Sequence, residues 1–208
     1  MSHAFHDHGH SHVDASSHGY RAILWIALAL NGAMFVIELT AGLDEGSVAL
    51  QADAIDFLSD TMTFALTLFV LGRALAWRAS AGIAKASMMS VFGVWVVGTA
   101  IRHSMGSGMP NPEVMGVVGF MALGVNLACA ALFFRHRNGD SNRRSVWLCS
   151  RNDAIGNVLV VLAGVGVFAT DTAWPDIGVG LVMAMLELSS AYLIFRQAIG
   201  EMRLARTA

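Results

Sequence analysis

A chain of 208 residues, 55% of them hydrophobic and only 13% charged, with a mean hydropathy of +0.58, is too apolar for a water-soluble domain and reads as an integral membrane protein. Its formal charge of −2, with basic residues scattered along the chain, sets nucleic-acid binding aside. Cys129 and Cys149 both lie inside apolar stretches, which speaks against a secreted disulfide framework and leaves thiol chemistry open.

Residues 1–19 are polar and carry His3, His6, His8, His10, His12 and His18. They lack the charged, apolar and small-residue regions of a signal peptide. The expectation is a cytoplasmic tail whose neutral imidazoles capture divalent metal loosely. Residues 20–199 then form the transmembrane domain, with six apolar segments at Ala22–Leu43, Val48–Leu71, Ile83–Ile101, Val114–Phe134, Val146–Phe168 and Trp174–Ile199. Each is about long enough to cross a bilayer as a helix, so the expected fold class is all-α, with six transmembrane helices. Residues 200–208 make a short C-terminal end, too small to fold alone. If the helices alternate, basic residues from Arg21, Arg73 and Lys85 through Arg143 to Arg206 fall on one side and Arg102 on the other. That asymmetry predicts that both termini are cytoplasmic.

The informative residues are the ones a membrane span should not contain: Glu38, Asp53, Asp56, Asp60, Arg151, Asp153 and Glu187. An aspartate near the middle of a span costs about 2.5–3.5 kcal/mol if ionised and unpaired, so something must neutralise it. The candidates are protons, Arg151 or a cation. Asp56 and Asp60 are four residues apart and share one helix face, and Cys149 and Asp153 repeat that spacing on the fifth segment. Antiparallel packing would set Asp60 beside Cys149 and Asp56 beside Asp153, four oxygen and sulfur ligands suited to a zinc-like dication. This arrangement requires the fifth helix to begin near Ser141 rather than at Val146, so that Cys149 lies within it. The competing reading is of protonated carboxyls bonding between helices, or paired with Arg151. Arg151 points about 200° around the helix from Cys149 and is assigned to another face. Asp53, three residues before Asp56, is a candidate exit or supporting carboxylate. Asn31 and Glu38 share a face of the first helix, where interhelical hydrogen bonding is the plainer reading.

The stretch Asn31, Glu38-Leu-Thr-Ala-Gly42, Gly46-Ser-Val-Ala-Leu-Gln-Ala-Asp53-Ala-Ile-Asp56-Phe-Leu-Ser-Asp60, together with Cys149-Ser-Arg-Asn-Asp153-Ala-Ile-Gly-Asn157 and Trp174-Pro-Asp176, resembles the cation diffusion facilitator family of divalent-metal/proton antiporters. The resemblance implies a transport site at Asp56, Asp60, Cys149 and Asp153, with cysteine standing where the family usually has histidine. Asp53, Asn31, Glu38 and Asn157 fall at accessory positions. It implies Zn²⁺ or Cd²⁺ as cargo, protons as counter-ion, outward transport, a homodimer joined through membrane helices and residence in a bacterial inner membrane. It also implies a short member without the family's cytoplasmic C-terminal domain. Two other readings compete with transport: a metal-binding sensor or accessory subunit, and an intramembrane aspartyl protease. The protease reading fits poorly, because Asp153 follows Ser-Arg-Asn rather than a glycine-rich motif and a dyad has no use for further acids or a thiol.

Overall fold

The computed structural model describes residues 10–70, 75–106, 108–135 and 141–207, with side chains over 19–69, 76–77, 79–106, 108–135 and 153–205. These residues form six helices: α1 (His10–Asp44), α2 (Val48–Val70), α3 (Leu75–Ser104), α4 (Pro112–Phe134), α5 (Ser141–Thr170) and α6 (Trp174–Thr207). Three helices start well before the apolar segments suggest. α1 begins twelve residues ahead of Ala22 and takes in part of the polar tail, α3 begins at Leu75 rather than Ile83, and α5 begins at Ser141. Polar residues extend each helix because the backbone bonds are satisfied internally wherever the chain lies, while hydropathy reports only the part facing lipid. The α5 start leaves Cys149 about 12 Å along its helix, well past the fraying first turn.

Five helices contain stretches long and apolar enough to cross a membrane: Gly19–Asp44, Ala79–Ser104, Pro112–Phe134, Asp153–Thr170 and Trp174–Ala205. The exception is α2, which carries Asp53, Asp56 and Asp60. Packing compensates for that polarity, since α2 contacts α1, α3, α5 and α6, while α3 with α6, α4 with α5 and α1 with α2 form the most extensive pairs. Val48, Ala49, Leu50, Ala52, Ile55 and Phe57 of α2 are all buried and lie in the main apolar core. A smaller cluster joins α1, α2 and α4 through Leu24, Phe64, Cys129 and Phe133, with Phe64 and Phe133 stacked at 5.5 Å. Val91, Val94, Phe120, Phe168 and Leu193 point outward, as lipid-facing side chains do.

The connections between α1 and α2, α3 and α4, and α5 and α6 lie at one end of the bundle, here called the turn end. Gly46 reverses the chain there with φ of 67°, a left-handed conformation that glycine adopts without strain, and a Cβ at that position would meet the ring of His103 at 2.6 Å. Ser47 then caps α2, its Oγ accepting from the Leu50 amide at 3.1 Å. Asp176, in the first turn of α6, completes the cap: it accepts from Ser47 Oγ at 2.6 Å, the Val48 amide at 2.8 Å and the Ala49 amide at 3.0 Å. A carboxylate here satisfies otherwise orphaned amides and favours the positive end of the helix dipole. The backbones also approach closely. A Cβ on Gly180 of α6 would sit 2.6 Å from the Val48 carbonyl carbon, and one on Gly42 of α1 would sit 2.9 Å from the Gln51 amide nitrogen. Gln51 Nε2 donates to the Gly42 carbonyl at 2.8 Å across the same gap.

Candidate functional site

The carboxylates of α2 fall into two environments. Asp53 is fully buried and faces Glu38 of α1, also fully buried. None of their four carboxyl oxygens has a hydrogen-bond partner among the described residues. Asp56 and Asp60, one and two turns further along α2, are densely surrounded yet keep part of their surface exposed. Since neighbouring Ile55, Phe57, Leu58 and Ser59 are all buried, this exposure belongs to a cleft between helices. The cleft reaches Asp56 and Asp60 but not the turn-end half of α2, where positions 47–55 are closed off.

Around this cleft four helices contribute charged groups. The Asp56 carboxyl faces Glu187 of α6, Asp153 of α5 and Lys85 of α3. Asp60 faces Asp56, Lys85 and Asp153. The expected meeting of α2 with α5 is therefore present, with Asp153 adjoining both aspartates rather than Asp56 alone. One oxygen each of Asp153 and Glu187 is buried without a hydrogen-bond partner among the described residues. Lys85 Nζ donates to Thr63 Oγ1, and that hydroxyl donates in turn to the Ser59 carbonyl at 2.9 Å.

Cys149 and Arg151 belong to α5, but their side chains lie outside the described residues, as do those of the six tail histidines. Among the described residues no three His, Cys, Asp or Glu side chains are set in a geometry that would hold a metal ion. What the described part contains is a cluster of acids from three helices, with Cys149 one helical turn before Asp153 on α5.

The accessory positions separate. Asn31 donates to its own helix at Ala27 O (2.8 Å) and to Cys129 Sγ of α4 (3.5 Å), so it ties α1 to α4, as the hydrogen-bonding reading expects. Asn157 of α5 is fully buried, with neither amide atom partnered among the described residues. Asn126 of α4 is buried with its Oδ1 unpartnered in the same way.

Two residues at the cluster carry no site role in the sequence reading. Glu187 is visible there only as a charge within a span. Lys85 is counted with the basic residues flanking the membrane, yet it lies six residues inside the Ala79–Ser104 span. Its helical spacing alone carries no signal that it turns toward α2. Asp176, which the sequence reading names only within Trp174-Pro-Asp176 at the start of the sixth segment, caps α2.

The chain resembles a metal cation efflux system protein, CzcD, of Cupriavidus metallidurans, at 24% identity over 203 residues that cover 92% of this chain and 64% of the relative. It also resembles a cadmium, cobalt and zinc/H(+)-K(+) antiporter of Bacillus velezensis at 23% identity (92% of this chain, 65% of the relative). A third relative is the zinc transporter ZitB of Escherichia coli, at 25% identity (97% of this chain, 68% of the relative). The chain thus spans about two thirds of the length of these relatives. Residues 24–202 match the cation efflux transmembrane domain, a stretch that includes part or all of each of the six helices and every described carboxylate of the cleft, and the chain belongs to that family.

Proposed function

We propose that this protein is a secondary transporter, not an enzyme, that exports divalent transition-metal cations, Zn²⁺ or Cd²⁺, from the cytoplasm in exchange for protons. The observation that carries the reading is the convergence of Asp56, Asp60, Asp153 and Glu187 from three helices in the interior of the bundle. Carboxylates in a membrane are stable only when neutralised, and a dication or protons can each do this. Because a metal needs deprotonated ligands, loading displaces protons and unloading takes them up, which couples the two fluxes in a single site. Asp56, Asp60, Asp153 and Cys149 are the proposed ligands, with Glu187 as an additional acid. In this reading metal reaches the acids from the cytoplasmic side, where both termini lie, as the placement of Lys and Arg supports. The histidine tail raises metal concentration on that side. A homodimer joined through membrane helices, in a bacterial inner membrane, belongs to the same proposal.

Purified protein in vesicles carrying an internal metal indicator and a pH dye tests it directly. Zn²⁺ or Cd²⁺ entry with opposing proton movement is expected. Tight metal binding without flux would replace the transporter with an accessory metal-binding subunit.

A further inference from the structure

Lys85 is a cation placed where a transported cation is expected. It stands six residues, about 9 Å, inside the α3 span and is half-buried. Its Nζ is hydrogen-bonded to Thr63, which follows Asp60 by three residues and Asp56 by seven and so shares their face of α2. Its charge faces Asp56, Asp60 and Glu187, groups contributed by two different helices. An intramembrane lysine is retained only when it is paired or serves a function, and here it meets an excess of acids.

We propose that Lys85 is the resident counter-cation of the carboxylate cleft, sharing these acids when no metal is bound and repelling the dication once it is, so that it sets affinity and speeds release. This rests on the transport reading above. Thr63 gives the ammonium a place to stay while metal is loaded. Its hydroxyl is already committed as donor to the Ser59 carbonyl, which leaves its lone pairs for Nζ one turn away from Asp60. A fixed positive charge at this position is enough for that role. Without it a dication would be held by four carboxylates with no other cation beside them among the described residues, and tight holding lowers turnover when release limits the cycle.

The test compares wild type, Lys85→Met, Lys85→Arg and Thr63→Val in vesicles. It measures half-saturating Zn²⁺ and maximal flux, and separately Zn²⁺ affinity by calorimetry on the same proteins in lipid discs. Lys85→Met should bind Zn²⁺ at least tenfold more tightly, with half-saturation falling and maximal flux falling too. Lys85→Arg, which keeps the charge, should return both within about threefold. Thr63→Val releases the ammonium onto the acids and should shift affinity the other way, weakening it about threefold; this variant decides the matter if Lys85→Met does not fold. Lower maximal flux with unchanged affinity in Lys85→Met would make Lys85 a packing residue and overturn the proposal. Absence of flux in wild type while the calorimetric shifts persist would instead overturn the transport reading and leave the counter-cation in place.

Discussion

Glu187 of α6 faces Asp56 of α2 across the interior of the bundle. Two acids so placed in a low-dielectric interior repel one another when both are ionised, so their juxtaposition is maintained by whatever positive charge lies between or beside them. Glu187→Gln keeps the shape and removes the charge. Zn²⁺ flux at limiting metal should fall at least fivefold, with maximal flux less affected, as concentration series in vesicles will show. Unaltered flux would take Glu187 out of the metal path.

Asp56→Ala, Asp60→Ala and Asp153→Ala should each abolish transport, to below about one hundredth of wild type, while the protein still inserts. Each change removes a ligand and also a charge that insertion had to accommodate. Membrane yield and gel-filtration profile measure the second part, vesicle flux the first. Near-normal flux in any one of them would break the two-helix ligand set.

At Cys149 a soft thiolate joins hard oxygens, which favours Zn²⁺ and Cd²⁺ over Mn²⁺ and Mg²⁺. Cys149→Ser should cut Cd²⁺ flux more than Zn²⁺ flux, by about threefold or more in their ratio. Cys149→His should retain Zn²⁺ flux. A constant ratio in the serine variant assigns Cys149 to packing.

Loading requires ligands without protons, so flux at subsaturating Zn²⁺ should rise as pH is raised on the loading side and fall as it is raised on the release side. Vesicles clamped at different inner and outer pH separate the two effects. Equal response to both sides would uncouple protons from the cargo.

The cap at the turn end predicts a stability effect rather than a ligand effect. Asp176→Ala leaves the Val48 and Ala49 amides and the Ser47 hydroxyl without their acceptor, a loss of about 2–4 kcal/mol. Gly180→Ala should be comparably harmful, because the added Cβ meets α2 backbone, which cannot yield as a side chain would. Both should lower the thermal midpoint in detergent, whereas Asp60→Ala should not.

The helices and three of the acids are legible in the sequence because the signals are local. Apolar length marks a span, and the four-residue interval from Asp56 to Asp60 fixes a shared face whatever surrounds it. Lys85 and Glu187 could not be placed that way. Lys85 precedes the richest apolar part of α3 by only a few residues, so it reads as a flank, and whether it turns inward depends on how α3 is rotated against α2. Glu187 lies 131 residues from Asp56, and only the seating of α6 brings them together. Asp176 shows the same limit, since its partners are the first amides of a helix far away in the chain.

Asp176, Gly180 and Glu187 follow one another at intervals of four and seven, which puts them on one stripe of α6. That stripe meets α2 at the cap, at the backbone contact with Val48 and at Asp56. α2 and α6 both start at the turn end and run in the same direction, so the two helices are fastened like a rail to its bed at both ends of the buried half of α2. Sliding or spinning one against the other would strip every fastening at once. A shift large enough to expose the cargo on the far side must therefore carry α2 and α6 together, and strain at the cap will be read out as a change in spacing among the acids about 12 Å away.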